Sequence, residues 1–143
     1  MHNPVFSKRV YLISYFFIWI MISVIQMSLF LIFYDISYFR ALTDNVLFFL
    51  IHSVSGIFLW YPIRFNLPGR QSTLTAVTGI VIVGMIAVSL WYFITTGLLG
   101  YIFGSDENYL AFLRDSRPYR LMSDVLVYIA LIFGYTFIQY NND

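Results

Sequence analysis

His52 is the residue best suited to chemistry inside a membrane, because it is a histidine within a long apolar stretch. An ionisable side chain at membrane depth is by default a functional candidate, here as a ligand, a proton carrier or a quinone contact. The structural alternative is a neutral imidazole that hydrogen-bonds to a neighbouring helix or to a backbone carbonyl. His52 lies about seven residues from the predicted start of its helix at residue 45, and we expect it to serve mainly in packing.

Small and polar residues within the apolar stretches are candidates for a ligand cleft or for helix packing. Gln26, His52 and Ser55 would line such a cleft, and Ser53 and Gly56 adjoin Ser55. Pairs of small residues four positions apart allow two helices to approach closely. Such pairs are Thr75 with Gly79, Gly100 with Gly104, and Ala130 with Gly134. We expect these pairs to pack helices together.

The carboxylates give no sign of acid and base catalysis. They are predicted to lie in the polar joints between apolar stretches or at helix ends: Asp35, Asp44, Asp106, Glu107, Asp115 and Asp124. That placement gives no proton relay within the membrane. The sequence also has no cysteine, no glycine-rich phosphate loop, no nucleophile elbow and no His-Glu-x-x-His motif. We therefore predict no enzyme activity, no catalytic residue, no metal site and no cofactor.

The composition indicates an integral membrane protein. Hydrophobic residues make up 60% of the 143 residues and charged residues 10%, and the mean hydropathy is +0.78, whereas about a quarter of a soluble domain is charged. Four apolar stretches are long enough to cross a bilayer: residues 10–33, 45–63, 74–104 and 121–140. The prediction is an all-α integral membrane four-helix bundle that forms a single domain over residues 1–143. The lipid bilayer is its surroundings, and a net charge of +1 argues against a nucleic-acid partner.

The third apolar stretch and the joint that follows it have features of their own. Residues 74–104 carry no charge and are longer than one straight span requires, so we expect a tilt, a projection beyond the bilayer, or a break near residues 95–97. The joint over residues 105–120 predicts a short interfacial helix before the last span. Ser105 is its expected cap, and Asp106 and Glu107 are placed in its first turn, where acidic residues are favourable.

The basic residues divide evenly between the two sides of the membrane. With the N-terminus inside, the inner segments hold Lys8, Arg9, Arg64 and Arg70, and the outer segments hold Arg40, Arg114, Arg117 and Arg120. Lys8 and Arg9 decide the orientation, because they stand directly before the first stretch. We predict a multi-pass protein of the inner (cytoplasmic) membrane with both termini in the cytoplasm. The first stretch would serve as a retained signal anchor.

Several sequence features together resemble a known family. They are Asn3-Pro4 with Lys8-Arg9, the aromatic run from Tyr15 to Trp19, the segment from Tyr109 to Arg120, and a last span that ends in Tyr135 and Tyr140. With these features the layout resembles the N-terminal membrane region of bacterial sensor histidine kinases of the autolysin-regulator type, in particular the four-helix sensors of the Bacteroidetes. The resemblance extends over nearly the whole chain.

The resemblance implies the sensing and anchoring module of a two-component histidine kinase. In that family a cytoplasmic kinase region follows the last membrane helix. The chain would form a homodimer, pass its last helix into a helical stalk, and work with that kinase region or a response regulator. Neither His2 nor His52 sits in the family's phosphoacceptor box. The alternatives are a protein that binds or transports a lipophilic small molecule, and a structural membrane subunit.

Overall fold

The computed structural model describes residues 3–66 and 72–142, and these residues form helices and short connections only. The helices are α1 (Pro4–Ser7), α2 (Arg9–Phe33), α3 (Tyr38–Phe58), α4 (Trp60–Phe65), α5 (Thr73–Ile102), α6 (Glu107–Asp115) and α7 (Arg117–Asn142). The predicted all-α bundle with a short helix before the last span is confirmed.

Four helical segments are long and apolar enough to cross a membrane. They are Arg9–Phe33, Tyr38–Phe65, Thr73–Ile102 and Arg117–Asn141, with mean hydropathy between 1.8 and 2.4. Their large apolar side chains are widely exposed, as at Ile32 and Phe93. Such a surface is suited to lipid and not to water. The chain is therefore a multi-pass membrane protein, as predicted.

The second span is longer than predicted and is broken near one end. It begins at Tyr38, where the Ser37 side chain accepts a hydrogen bond from the backbone of Arg40, and not at residue 45. The break falls at Leu59, between α3 and α4. Pro62 has no N–H to offer to the carbonyl of Phe58, and this loss interrupts the helix. α4 then carries the span on to Phe65.

The other boundaries also differ from the sequence prediction. α5 runs to Ile102 without a break at residues 95–97. Asp106 caps α6 by accepting a hydrogen bond from the Tyr109 backbone at 3.1 Å, so the expectation for Ser105 was wrong. α7 begins at Arg117, four residues before the predicted span. This early start places Arg120 inside a membrane helix.

The bundle core is aromatic and is kept tight by two glycines. Trp19, Phe48, Trp91 and Tyr128 are buried in it. Gly84 on α5 faces the ring of Tyr128, whose hydroxyl donates to the Ile80 carbonyl at 2.7 Å. Gly56 on α3 likewise faces Tyr15 and Trp19. The absence of a Cβ at these glycines lets the rings lie directly on the neighbouring helix backbone.

A second cluster closes one end of the bundle. It consists of Phe30, Leu99, Tyr109, Phe112 and Leu113, so α6 packs on the ends of α2 and α5. Asp106 at the start of α6 also pairs with Arg40 at the start of α3, at 2.8 Å. These contacts hold α6 against the spans.

Gly84→Ala should destabilise the protein by about 1–3 kcal/mol, because the new methyl group would displace the Tyr128 ring. Thermal unfolding in detergent micelles, followed by circular dichroism, measures the effect. Gly97→Ala is the matched control, because a Cβ there meets no described atom within 4 Å, and it should be neutral or slightly stabilising. Equal melting temperatures for the two variants would contradict this account of α5 and α7 packing.

Candidate functional site

The centre of the candidate site is an ion pair buried between two membrane helices. Asp44 on α3 is 0% exposed, and Arg120 on α7 is 6% exposed. Arg120 Nη1 donates to Asp44 Oδ1 at 3.0 Å, and Nη2 donates to Oδ2. Two parallel bonds of this kind fix both the distance and the orientation of the two side chains. The guanidinium also lies over the rings of Phe30 and Phe112, 5.2 and 5.5 Å from their centroids.

The short helix α6 contributes a third partner to this ion pair. The Tyr109 hydroxyl donates to Asp44 Oδ2 at 2.7 Å. Burial raises the pKa of the Tyr109 phenol, and the adjacent Asp44 carboxylate raises that pKa further. The phenol therefore keeps its proton and remains a donor. Arg120 Nε donates to Ser116 Oγ at 3.0 Å, so the junction of α6 and α7 is tied to the same cluster.

A second buried pair joins α3 to α7 deeper in the bilayer. His52 Nδ1 lies 2.9 Å from the Phe48 carbonyl oxygen, and His52 Nε2 lies 2.8 Å from Asp124 Oδ1. A carbonyl oxygen only accepts, so Nδ1 carries a proton. Nε2 faces the Asp124 carboxyl, so the two side chains hold α3 and α7 together.

A cavity of about 10 Å³ adjoins the second pair, lined in part by Asp124, Arg120 and Thr95. Thr95 Oγ1 is buried and has no hydrogen-bond partner among the described residues. A cavity of this size, with polar side chains in its wall, is suited to a single water molecule.

Gln26 belongs to the same polar cluster. Its Nε2 donates to Asn45 Oδ1 at 3.0 Å, and Ser123 Oγ donates to its Oε1 at 3.4 Å. Asn45 in turn donates to the Ala41 carbonyl at 2.9 Å. Gln26 thus links α2 to both α3 and α7, and its side chain is engaged in helix contacts.

Ser55 has a different role from the one a shared cleft would give it. Trp91 Nε1 donates to Ser55 Oγ at 2.6 Å, and Ser55 Oγ donates to the Ile51 carbonyl at 2.6 Å. The Trp91 ring lies 4.6 Å from the His52 ring. Gln26 and His52 line the small cavity beside Asp124, while Ser55 joins α3 to α5.

The structure corrects the sequence analysis for three ionisable residues. Asp44 and Asp124 were expected in joints or at helix ends, yet both are buried inside spans. The expectation was wrong because the span boundaries were placed too late. His52 also lies near the middle of the 28-residue span Tyr38–Phe65, not near its start. Helical spacing was the signal in the sequence that could have located this site. Asp44 and His52 are eight positions apart, and Arg120 and Asp124 are four positions apart, so each pair lies on one face of its helix.

The predicted small-residue pairs make few contacts with other helices of the chain. A Cβ added at Gly100 or Gly134 would meet no described atom within 4 Å, and Gly104 is near only backbone oxygens of its own turn. Gly79 is the exception, because it lies against the side chain of Asn66. Ala130 is exposed and lines an open groove together with Gly134.

In the described part of the chain, no three histidine, aspartate or glutamate side chains are grouped to hold a metal ion. Asp44 with Arg120, His52 with Asp124, and Arg40 with Asp106 form pairs between helices. No protein-family model, no curated protein and no solved structure matches this chain.

Asp44→Asn should destabilise the protein by about 3–5 kcal/mol, because it leaves the Arg120 charge buried without a counter-charge. The double variant Asp44→Asn with Arg120→Gln should be more stable than Asp44→Asn alone. Thermal unfolding in detergent measures both, and Asp115→Asn on the exposed surface is the control. Additive losses in the double variant would show that the two side chains do not act as a pair.

Proposed function

We propose that this chain is the sensing and anchoring module of a two-component sensor histidine kinase, with the kinase region or a response regulator as its cytoplasmic partner. The observation that carries the proposal is the Asp44 carboxylate, which binds Tyr109 on α6 and Arg120 on α7 at once. A helix outside the spans is thereby connected through one buried group to the last membrane helix. An input module requires a connection of this kind.

The mechanism is a two-state displacement of α7. A stimulus that lifts α6 withdraws the Tyr109 hydroxyl and the Ser116 side chain from the ion pair. Arg120 then holds Asp44 with fewer supporting bonds, and α7 shifts relative to α3. Any ligand that binds the two arrangements with unequal affinity shifts the equilibrium between them.

The distribution of basic residues supports cytoplasmic termini. Arg120 is buried in a span and paired with Asp44, so it does not count among the loop charges that set orientation. Without Arg120, the side of Lys8 and Arg9 has four basic residues and the side of α6 has three. The four are Lys8, Arg9, Arg64 and Arg70, and the three are Arg40, Arg114 and Arg117. We therefore assign both termini to the cytoplasm and α6 to the outer face of the inner membrane.

A homodimer would pass the displacement of α7 to the kinase region. One face of α7 carries exposed apolar side chains at helical spacing: Met122, Leu126, Ile129, Phe133, Phe137 and Tyr140. This stripe points away from the other helices of the chain. We place the contact between two copies there and not at Ala130 and Gly134.

The dimer model predicts disulfide crosslinks between copies at single cysteines placed at Leu126, Phe133 and Phe137 in native membranes. Tyr109→Phe removes only the hydroxyl that binds Asp44, and it should change the relative crosslinking yields along the stripe. Tyr101→Phe, at an exposed tyrosine, is the matched control and should leave the yields unchanged. An absence of crosslinks along the whole stripe would argue against the dimer, and identical yields for Tyr109→Phe and the parent would argue against the input role of α6.

The assigned orientation can be tested in intact cells, because the natural chain has no cysteine. Single cysteines at the exposed residues Ser37 and Glu107 should react with a membrane-impermeant thiol reagent, whereas one at the exposed Ser7 should react only after lysis. Labelling of Ser7→Cys alone in intact cells would reverse the assignment.

A further inference from the structure

α2 and α7 leave an apolar groove of about 190 Å³ between them. Its lining extends from Tyr11 to Ile22 on α2 and from Val127 to Ile138 on α7. Four successive spans place the start of α2 and the end of α7 at the same membrane face. The groove therefore opens at the face of Lys8 and Arg9 and runs into the bilayer, distant from the ion pair of Asp44.

Small side chains on α7 keep this groove open. Ala130 and Gly134 form part of its wall, and Trp19 contributes to its lining from α2. The Tyr15 and Tyr135 hydroxyls donate to the Ser53 and Gly56 carbonyls at 2.5 Å each. The polar ends of these two rings are thus bound to α3, and apolar ring atoms are left to line the groove. An alkyl chain is the ligand that matches such a lining.

The length of the groove identifies the kind of chain. Tyr11 and Ile22 are eleven positions apart, which is about 16 Å along a helix. Half of a hydrocarbon core about 30 Å thick is about 15 Å, the depth of one leaflet. The groove thus suits one acyl chain from a single leaflet.

The charge at the mouth of the groove identifies the headgroup. Lys8 and Arg9 are exposed there, and Lys8 Nζ lies 5.3 Å from the centroid of the Tyr11 ring. Arg64, at the end of the second span, lies at the same face. The described segments at this face, residues 3–9, 59–66, 72–78 and 136–142, contain no aspartate or glutamate. Basic residues at the membrane surface attract anionic lipids.

From these observations we infer that the groove between α2 and α7 binds one acyl chain of an acidic phospholipid, whose phosphate contacts Lys8 and Arg9. The site goes beyond the proposed signalling role and does not depend on it. Groove depth and charge point to the same ligand class.

Native mass spectrometry of the purified chain in detergent tests this lipid site. The chain is titrated with phosphatidylglycerol or with phosphatidylcholine of the same acyl composition. One phosphatidylglycerol should remain bound, with a roughly thirtyfold preference over phosphatidylcholine, because each of two basic residues near an acidic headgroup contributes about 1 kcal/mol. Lys8→Gln with Arg9→Gln should remove that preference and leave a weaker adduct of either lipid.

Gly134→Leu should fill the groove and abolish the bound lipid, and Ala130→Met provides a second variant in the same wall. Gly97→Leu is the matched control, because it adds the same side chain at an exposed α5 glycine with open space around it. Equal binding of the two lipids by the parent chain, or equal binding by the Gly134 and Gly97 variants, would overturn the proposal. Crosslinks between copies that are stronger at a cysteine placed at 134 than at 126, 133 and 137 would also overturn it, because a second copy would then occupy the groove.

Discussion

The Asp44 carboxylate is the constraint on which the arrangement of these helices depends. It is 0% exposed, and a buried charge is unfavourable unless it is paired and hydrogen-bonded. Folding must therefore bring donors to it. Arg120 fixes the height of α7 relative to α3, and Tyr109 holds α6 against both. One buried group thereby positions three helices, and it couples the short helix outside the spans to the last membrane helix.

Pairing between helices explains the rest of the polar cluster. Asp44 pairs with Arg120 and His52 with Asp124, and Gln26 ties the third helix to them. Removal of one partner leaves a buried charge without a counter-charge, whereas replacement of the whole pair by apolar residues is often neutral for stability. These contacts therefore specify the register of the helices more than they add stability.

The apolar runs were sufficient to predict the four spans, because hydropathy depends on composition and not on contacts. Boundaries failed where polar residues lie inside a span and are satisfied by a partner. Asp44 and Arg120 look like joint residues in a sequence, and only their pairing across α3 and α7 makes them tolerable at depth. Small-residue spacing had a similar limit. Gly84 packs on Tyr128 outside any predicted pair, whereas Gly134 of a predicted pair faces a groove, because spacing does not reveal which face is covered.

α7 connects the ion pair to the groove, since Arg120 and Asp124 lie in one half of the helix and Ala130 and Gly134 in the other. The first half is fixed by charge-assisted bonds to α3. The second half borders an apolar space of about 190 Å³ on the side of α2, and Tyr135 binds it to α3 on the other side. An acyl chain in the groove would therefore pack against the second half of α7 while Arg120 holds the first half, so that the same helix would contact both lipid and α6.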